Sequence, residues 1–162
     1  MSSGVGVSNQ VLQTYEDMKL GRKYAYIVFA IQNSTEIIVE KTMTTEEASK
    51  LSTPEVYESF KSSIPKDEAR YGVFDLEYDL GQNGVRSKLI FIVWNPSEGK
   101  IRSKMIYASS KKALRDRNYV LIVGLDGIHQ EVQCNDLDEL AFESVFEVVA
   151  PKGATFKTAK EE

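Results

Sequence analysis

Residues 102–115 read RSKMIYASSKKALR, and the spacing inside this stretch decides how the rest of the chain is read. Taken as a helix, it places Lys104, Ala108, Lys111, Lys112 and Arg115 at i, i+4, i+7, i+8 and i+11, one continuous face. Ile106, Ser110, Ala113 and Leu114 repeat that spacing two positions on and take the opposite side. The expectation is a helix with a thin apolar seam for a core and a cationic stripe for something outside, Met105 and Tyr107 flanking the stripe. A solvated helix face usually mixes glutamate with lysine for i,i+4 pairing. Here no acid appears before Asp116. The stripe suits an acidic partner.

The charge around this helix is polarised. The 162-residue chain carries −4 overall, yet from Arg86 to Arg117 nine basic residues stand against two acids, so that segment is +7 and the remainder −11. Such a distribution steers one face toward negative partners while the acidic bulk repels non-specific ones. The length suits one domain with a proper core. A single cysteine, Cys134, leaves no internal disulfide and fits a reducing compartment. The opening MSSGVGVSNQ lacks the charged and apolar regions of a secretory leader. The longest apolar run, Tyr119 to Leu125, falls short of the roughly 20 residues that span a bilayer. A cytosolic protein is expected.

Working outward, Asn9 to Leu20 has a helical period at Val11, Leu12, Tyr15 and Met18, with Ser8 or Asn9 as cap and Gly21-Arg22 as the end. Tyr24 to Ile31 and Glu36 to Lys41 read as strands joined at the Asn33-Ser34 corner. Thr53-Pro54 opens a second helix, which Pro65 stops. Gly72 to Tyr78 and Lys88 to Trp94 are the next strands, joined through Gly81-Gln82-Asn83-Gly84. No GK[ST] follows those glycines, so they mark a turn and not a phosphate loop. After the long helix come a strand near Ile128 to Gln133 and a helix from about Asp136 to Val149. The fold class is therefore α/β of the α+β type, a central mixed sheet of five or six strands with helices on both faces. Residues 1–150 form the domain, and 151–162, PKGATFKTAKEE, read as a flexible tail.

No arrangement for bond chemistry stands out. His129 is the only histidine, which removes a multi-histidine metal cage, and its place in a strand suggests a half-buried structural role. Cys134 has no basic neighbour to lower its pKa and reads as a structural thiol. The acids are scattered without acid/base spacing. Neither a metal nor a cofactor is implied. Tyr71, Phe74, Tyr78, Phe91 and Trp94 sit on strands and are most simply core, and no nucleic-acid motif accompanies them.

Several segments carry a resemblance to a known family. The string SKMIYASSK resembles the long-helix signature of the ADF/cofilin family, proteins that bind and dismantle actin filaments. Ser3-Gly4-Val5 with Val7-Ser8 resembles the family's N-terminus, YESFKSSIP its following helix, RYGVFDLEY its central strand, and RSKLIFIVWNP the next strand. Asp126 to Val149 resembles the last strand and closing helix, so the likeness runs in order from Ser3 to Val149. The resemblance implies the actin-depolymerising-factor homology fold and a monomer that acts by binding, not catalysis. It implies contact with monomeric and filamentous actin through Ser3, Gly4, Arg102, Lys104, Met105, Lys111, Lys112 and Arg115, with preference for the ADP state. Arg86, Lys88 and Glu147 correspond to a second, filament-side contact. Ser3 resembles a regulatory phosphoserine, with Ser2 competing for that role, and a phosphate there would repel an acidic partner. Lys104, Lys111, Lys112 and Arg115 would also attract phosphoinositide head groups at the membrane surface. The implied location is cytoplasmic, on the cortical actin cytoskeleton, with the nucleus a further compartment.

The chain departs from that family in two places. Residues 117–124, RNYVLIVG, form an insertion that could lengthen the helix, add an edge strand, or make a loop with exposed apolar residues. In the closing helix Val148 and Pro151 stand where the resemblance leads one to expect arginines, and Asp116 interrupts a basic pair, so filament-side binding is expected to be weaker than monomer binding. Two alternatives accompany this reading. One is a coactosin-like or glia-maturation-factor-like binder that does not sever, and the other is a phosphoinositide- or nucleic-acid-binding module.

Overall fold

The computed structural model describes residues 5–115 and 128–157, and the backbone alone for 112–115. The insertion expected at 117–124, together with Ser3 and Gly4, lies outside the described residues. Six strands make one mixed sheet: β1 (Gly6–Val7), β2 (Tyr24–Gln32), β3 (Glu36–Thr44), β4 (Arg70–Asp79), β5 (Val85–Trp94) and β6 (Gln130–Cys134). Their order across the sheet is β1-β3-β2-β4-β5-β6. The inner pairs are antiparallel, whereas β1 on β3 and β6 on β5 are parallel. Asn33 and Ser34 turn the β2–β3 corner with φ of 53° and 57°, the mirror-image geometry that follows the twist of paired strands.

Helices cover both faces. α1 (Asn9–Lys19) starts where Ser8 Oγ accepts the Val11 N–H at 3.3 Å. Two short pieces follow β3: α2 (Thr45–Ala48), and α3 (Thr53–Ser62), whose Ser52 and Glu55 form a reciprocal cap with proline in the first turn. α4 (Ile101–Arg115) is the long helix. The closing helix is not continuous. It breaks at Ala141, where ψ is 147°, into α5 (Leu137–Leu140) and α6 (Phe142–Val149).

The alternation of side chains along the strands sorts the core into two layers. Tyr26, Val28, Phe74, Leu76, Ile90, Ile92 and Trp94 pack with α3, α5 and α6. Ile27, Phe29, Ile37, Tyr71, Val73, Phe91 and Val93 pack with α1 and with Tyr107 of α4. Gly72 is required where α3 crosses the sheet, because a Cβ there would sit 2.5 Å from the Phe60 ring.

The expected loose tail is docked in the part that is described. Thr155 and Asp79 exchange both backbone hydrogen bonds, at 2.7 and 3.0 Å. Thr53 N–H donates to Lys157 O at 3.0 Å. The Phe156 ring stands edge-on to Phe142 and Phe146, with centroids 5.0 and 5.2 Å away. A polar composition concealed one aromatic side chain with a slot prepared for it.

Candidate functional site

α4 owes its orientation to backbone handles more than to an apolar seam. The Tyr71 hydroxyl donates to the Tyr107 carbonyl, and the Ile31 N–H donates to the Tyr107 hydroxyl oxygen at 2.8 Å. Asn95, itself buried, donates from its amide to Lys104 O at 3.2 Å. Tyr107 and Ser110 are the buried positions of the described helix, Ser110 completely so. Tyr107 thus anchors the helix in the core and does not flank the stripe. Its rings neighbour Tyr71 at 5.2 Å between centroids.

That anchor fixes what faces outward. Ile101, Arg102, Met105, Ala108 and Ser109 are exposed, Ile101 by 76% and Met105 by 65%, and they lie on the side opposite Tyr107 and Ser110. The lysine line sits on the flank. Lys104 Nζ donates to Ser97 O at 3.0 Å, and Lys111 Nζ pairs with Glu131 of β6 at 2.7 Å. Both lysines thus have partners within the fold, because burying Tyr107 rolls them toward β6 and the loop after β5. Lys112 and Arg115 lie on the helix backbone, and their side chains are outside the described residues. The outward face is mixed, with two large apolar side chains beside Arg102.

β1 runs beside α4, with Val5 buried. The remaining sequence-derived residues gather at another edge. Arg86 is exposed and Lys88 half-buried on one face of β5, two residues apart. Lys88 Nζ donates to Val149 O at 2.8 Å, at the end of α6, and lies 5.9 Å from the centroid of the Tyr78 ring. Glu147 and Val148 are exposed on that helix, Val148 by 61%. Lys88 joins β5 to α6, so these residues belong to one edge of the fold, separate from the outward face of α4.

His129 precedes β6 and is exposed, not half-buried in a strand. Its Nδ1 accepts the Leu89 N–H at 3.0 Å while its own N–H donates to Leu89 O at 2.8 Å, which starts the parallel pairing. Cys134 is buried, and burial, with Glu139 and Asp136 nearby, pushes its thiol up to about 12, the state of an unreactive structural thiol. Among the described residues no cluster of three or more His, Cys, Asp or Glu could hold a metal. Sequence reading missed Tyr107, Asn95 and Tyr71 as the supports of the site. The signal for Tyr107 was its i+3 relation to Ser110, a buried seam made of an aromatic and a serine.

A family model described as cofilin/tropomyosin-type actin-binding protein matches residues 4–150. Cofilin of Kluyveromyces lactis is 41% identical over 150 residues, covering 91% of this chain and 94% of that protein. A crystal structure described as Streptomyces griseoflavus cofilin superposes with a TM-score of 0.74 at 37% identity, covering 91% of this chain and 98% of that one. The crystal structure of actin depolymerization factor 2 of Plasmodium berghei gives a TM-score of 0.76 at 27% identity, with 92% and 98% covered.

Proposed function

This chain belongs to the cofilin/tropomyosin-type family of actin-binding proteins, and from that premise we propose that it binds monomeric and filamentous actin and promotes severing and depolymerisation of filaments. It acts by binding: occupying neighbouring subunits favours one filament state over another by differential affinity. Its place is the cytoplasm, on the actin cytoskeleton, with the cell cortex and the nucleus as further sites of action.

The observation that carries this reading is the outward face of α4. Arg102 supplies a charge for an acidic partner, and Met105, exposed by 65%, supplies adaptable apolar contact for a cleft. Lys104 and Lys111 contribute, at the flank, as cations that an acidic group can share. Ser3 and Gly4 are assigned to the same actin contact. A phosphate on Ser3 places about −1.5 to −2 of charge next to the same acidic partner and releases it. Phosphoinositide head groups compete for the cations of the helix, Lys104, Lys111, Lys112 and Arg115, more weakly as salt rises. Arg86 and Glu147 serve the filament-side contact.

Cosedimentation with filaments, scored together with severing in ADP and ATP states, tests the reading. Wild type binds and severs, and Arg102→Glu loses monomer and filament binding together. Binding without severing would instead place the protein with the non-severing members of the fold. A Ser3→Glu protein that binds actin as tightly as wild type removes the phosphoserine from the mechanism.

A further inference from the structure

We propose that Lys88 is a positioning residue for the filament-side edge: its ammonium holds the last turn of α6 against β5, and it acts through that helix instead of touching actin. The inference rests on the assignment of Arg86 and Glu147 to filament binding. A helix end leaves several carbonyls without partners, and the aligned peptide dipoles concentrate negative charge there. α6 has no basic residue of its own in its last turn. Lys88, reaching across from β5, fills that place at 2.8 Å from Val149 O, while the Tyr78 ring lies 5.9 Å from the same ammonium. Val149 is 2% exposed and its side chain belongs to the core, so the carbonyl that Lys88 grips is fixed from the other side.

The two cations of this edge therefore have different tasks. Arg86 is exposed, whereas Lys88 is half-buried and engaged. Next to the gripped carbonyl, the Ala150 N–H donates to Phe146 O at 2.8 Å and closes the last turn. Loosening Lys88 loosens that bond, and with it the placement of Glu147 and Val148 relative to Arg86.

The test compares Lys88→Gln, Lys88→Arg and Arg86→Gln by filament cosedimentation over a range of salt, by hydrogen exchange of the Ala150 amide, and by monomer binding. Lys88→Gln should weaken filament binding roughly two- to fivefold, the size of a lost helix-terminus charge. It should speed Ala150 exchange, leave the salt dependence of filament binding as in wild type, and spare monomer binding. Lys88→Arg should restore both exchange and affinity. Arg86→Gln should flatten the salt dependence with Ala150 exchange unchanged, as expected for a charge that meets the partner. If Lys88→Gln flattens the salt dependence and leaves Ala150 exchange alone, Lys88 is a direct contact and the proposal falls. If exchange accelerates while both Lys88→Gln and Arg86→Gln bind filaments like wild type, the assignment of this edge to filaments falls. The positioning role falls with it, and the hydrogen bond remains only a part of the fold.

Discussion

The hydroxyl of Tyr107 accepts the backbone N–H of Ile31 across 76 residues of sequence, at 2.8 Å, and so ties the end of β2 to the middle of α4. With the Tyr71 hydroxyl on the Tyr107 carbonyl, one residue is held at both its backbone and its side-chain tip. The roll of the helix is set here, and with it the side chains that reach a partner.

Tyr107→Phe tests that tie. The ring stays and the acceptor goes, leaving the part-buried Ile31 N–H unpaired at a cost of about 1–3 kcal/mol. Urea denaturation should show the loss, and monomer binding should weaken by less than the stability change, because the Tyr71 handle persists.

The outward face and the flank should separate cleanly. Arg102→Glu and Met105→Ala touch exposed side chains, so stability should stay within about 0.5 kcal/mol of wild type. Actin-monomer binding should fall for both, and furthest for the charge reversal. Lys111→Gln breaks a half-exposed pair with Glu131 and should cost no more than about 1 kcal/mol. Its effect on binding should be smaller than that of Arg102→Glu. Thermal melts and a fluorescent-monomer titration read the two quantities.

That separation also marks where the sequence was and was not legible. The principal strands, the Asn33-Ser34 corner, the Ser8 cap and the Pro54 helix entry follow from local chemistry that each residue carries on its own. The face of α4 does not. Charge periodicity points to the lysine row, but the roll depends on contacts from outside the helix: Tyr71 and Asn95 bind its backbone carbonyls, and the Ile31 N–H binds the Tyr107 hydroxyl. The break at Ala141 and the docking of Phe156 were hidden for the same reason: each is decided by packing that no neighbouring residue announces.

Phe156→Ala should show that the segment after α6 is structural. Truncating a fully buried phenylalanine costs about 3–5 kcal/mol, and the half-buried Phe156 should cost about 2. Thermal unfolding measures it, and limited proteolysis should find new cleavage near residue 154. Unchanged melting and protection would show that the ring contacts with Phe142 and Phe146 carry no weight.

Asp75 gives a pH dependence with a definite sign. Burial pushes its carboxyl up to about 6 from an ordinary 3.8, with Glu77 adding and Arg22 and the Ser87 hydroxyl opposing. The native state thus holds this proton more tightly than the unfolded chain. The contribution is complete below about 3.8 and is lost as pH rises through about 6. Wild type should lose stability from this group between about pH 4 and pH 6, and Asp75→Asn should remove that slope and melt higher than wild type at about pH 7. Melting curves across that range decide it, and identical slopes in the two proteins would contradict the burial of the charge.

The docked segment has a further consequence for how the chain comes off the ribosome. Residue 155 pairs with residue 79, residue 157 meets residue 53, and β6 with α6 closes the layer that begins at Tyr26. An emerging chain can therefore fold the β2–β3 and β4–β5 hairpins early and pack α1 and α3 on them, yet it cannot finish covering the layer around Tyr26 until residues up to 157 are free. During that interval the edge of β5 and the faces around Ile92 and Trp94 stand open to other chains. Synthesis at about 5–20 residues per second makes the interval about 3–13 s for the 63 residues from Asn95 to Lys157. A holding chaperone is thus expected to matter for yield more than the stability of the finished fold.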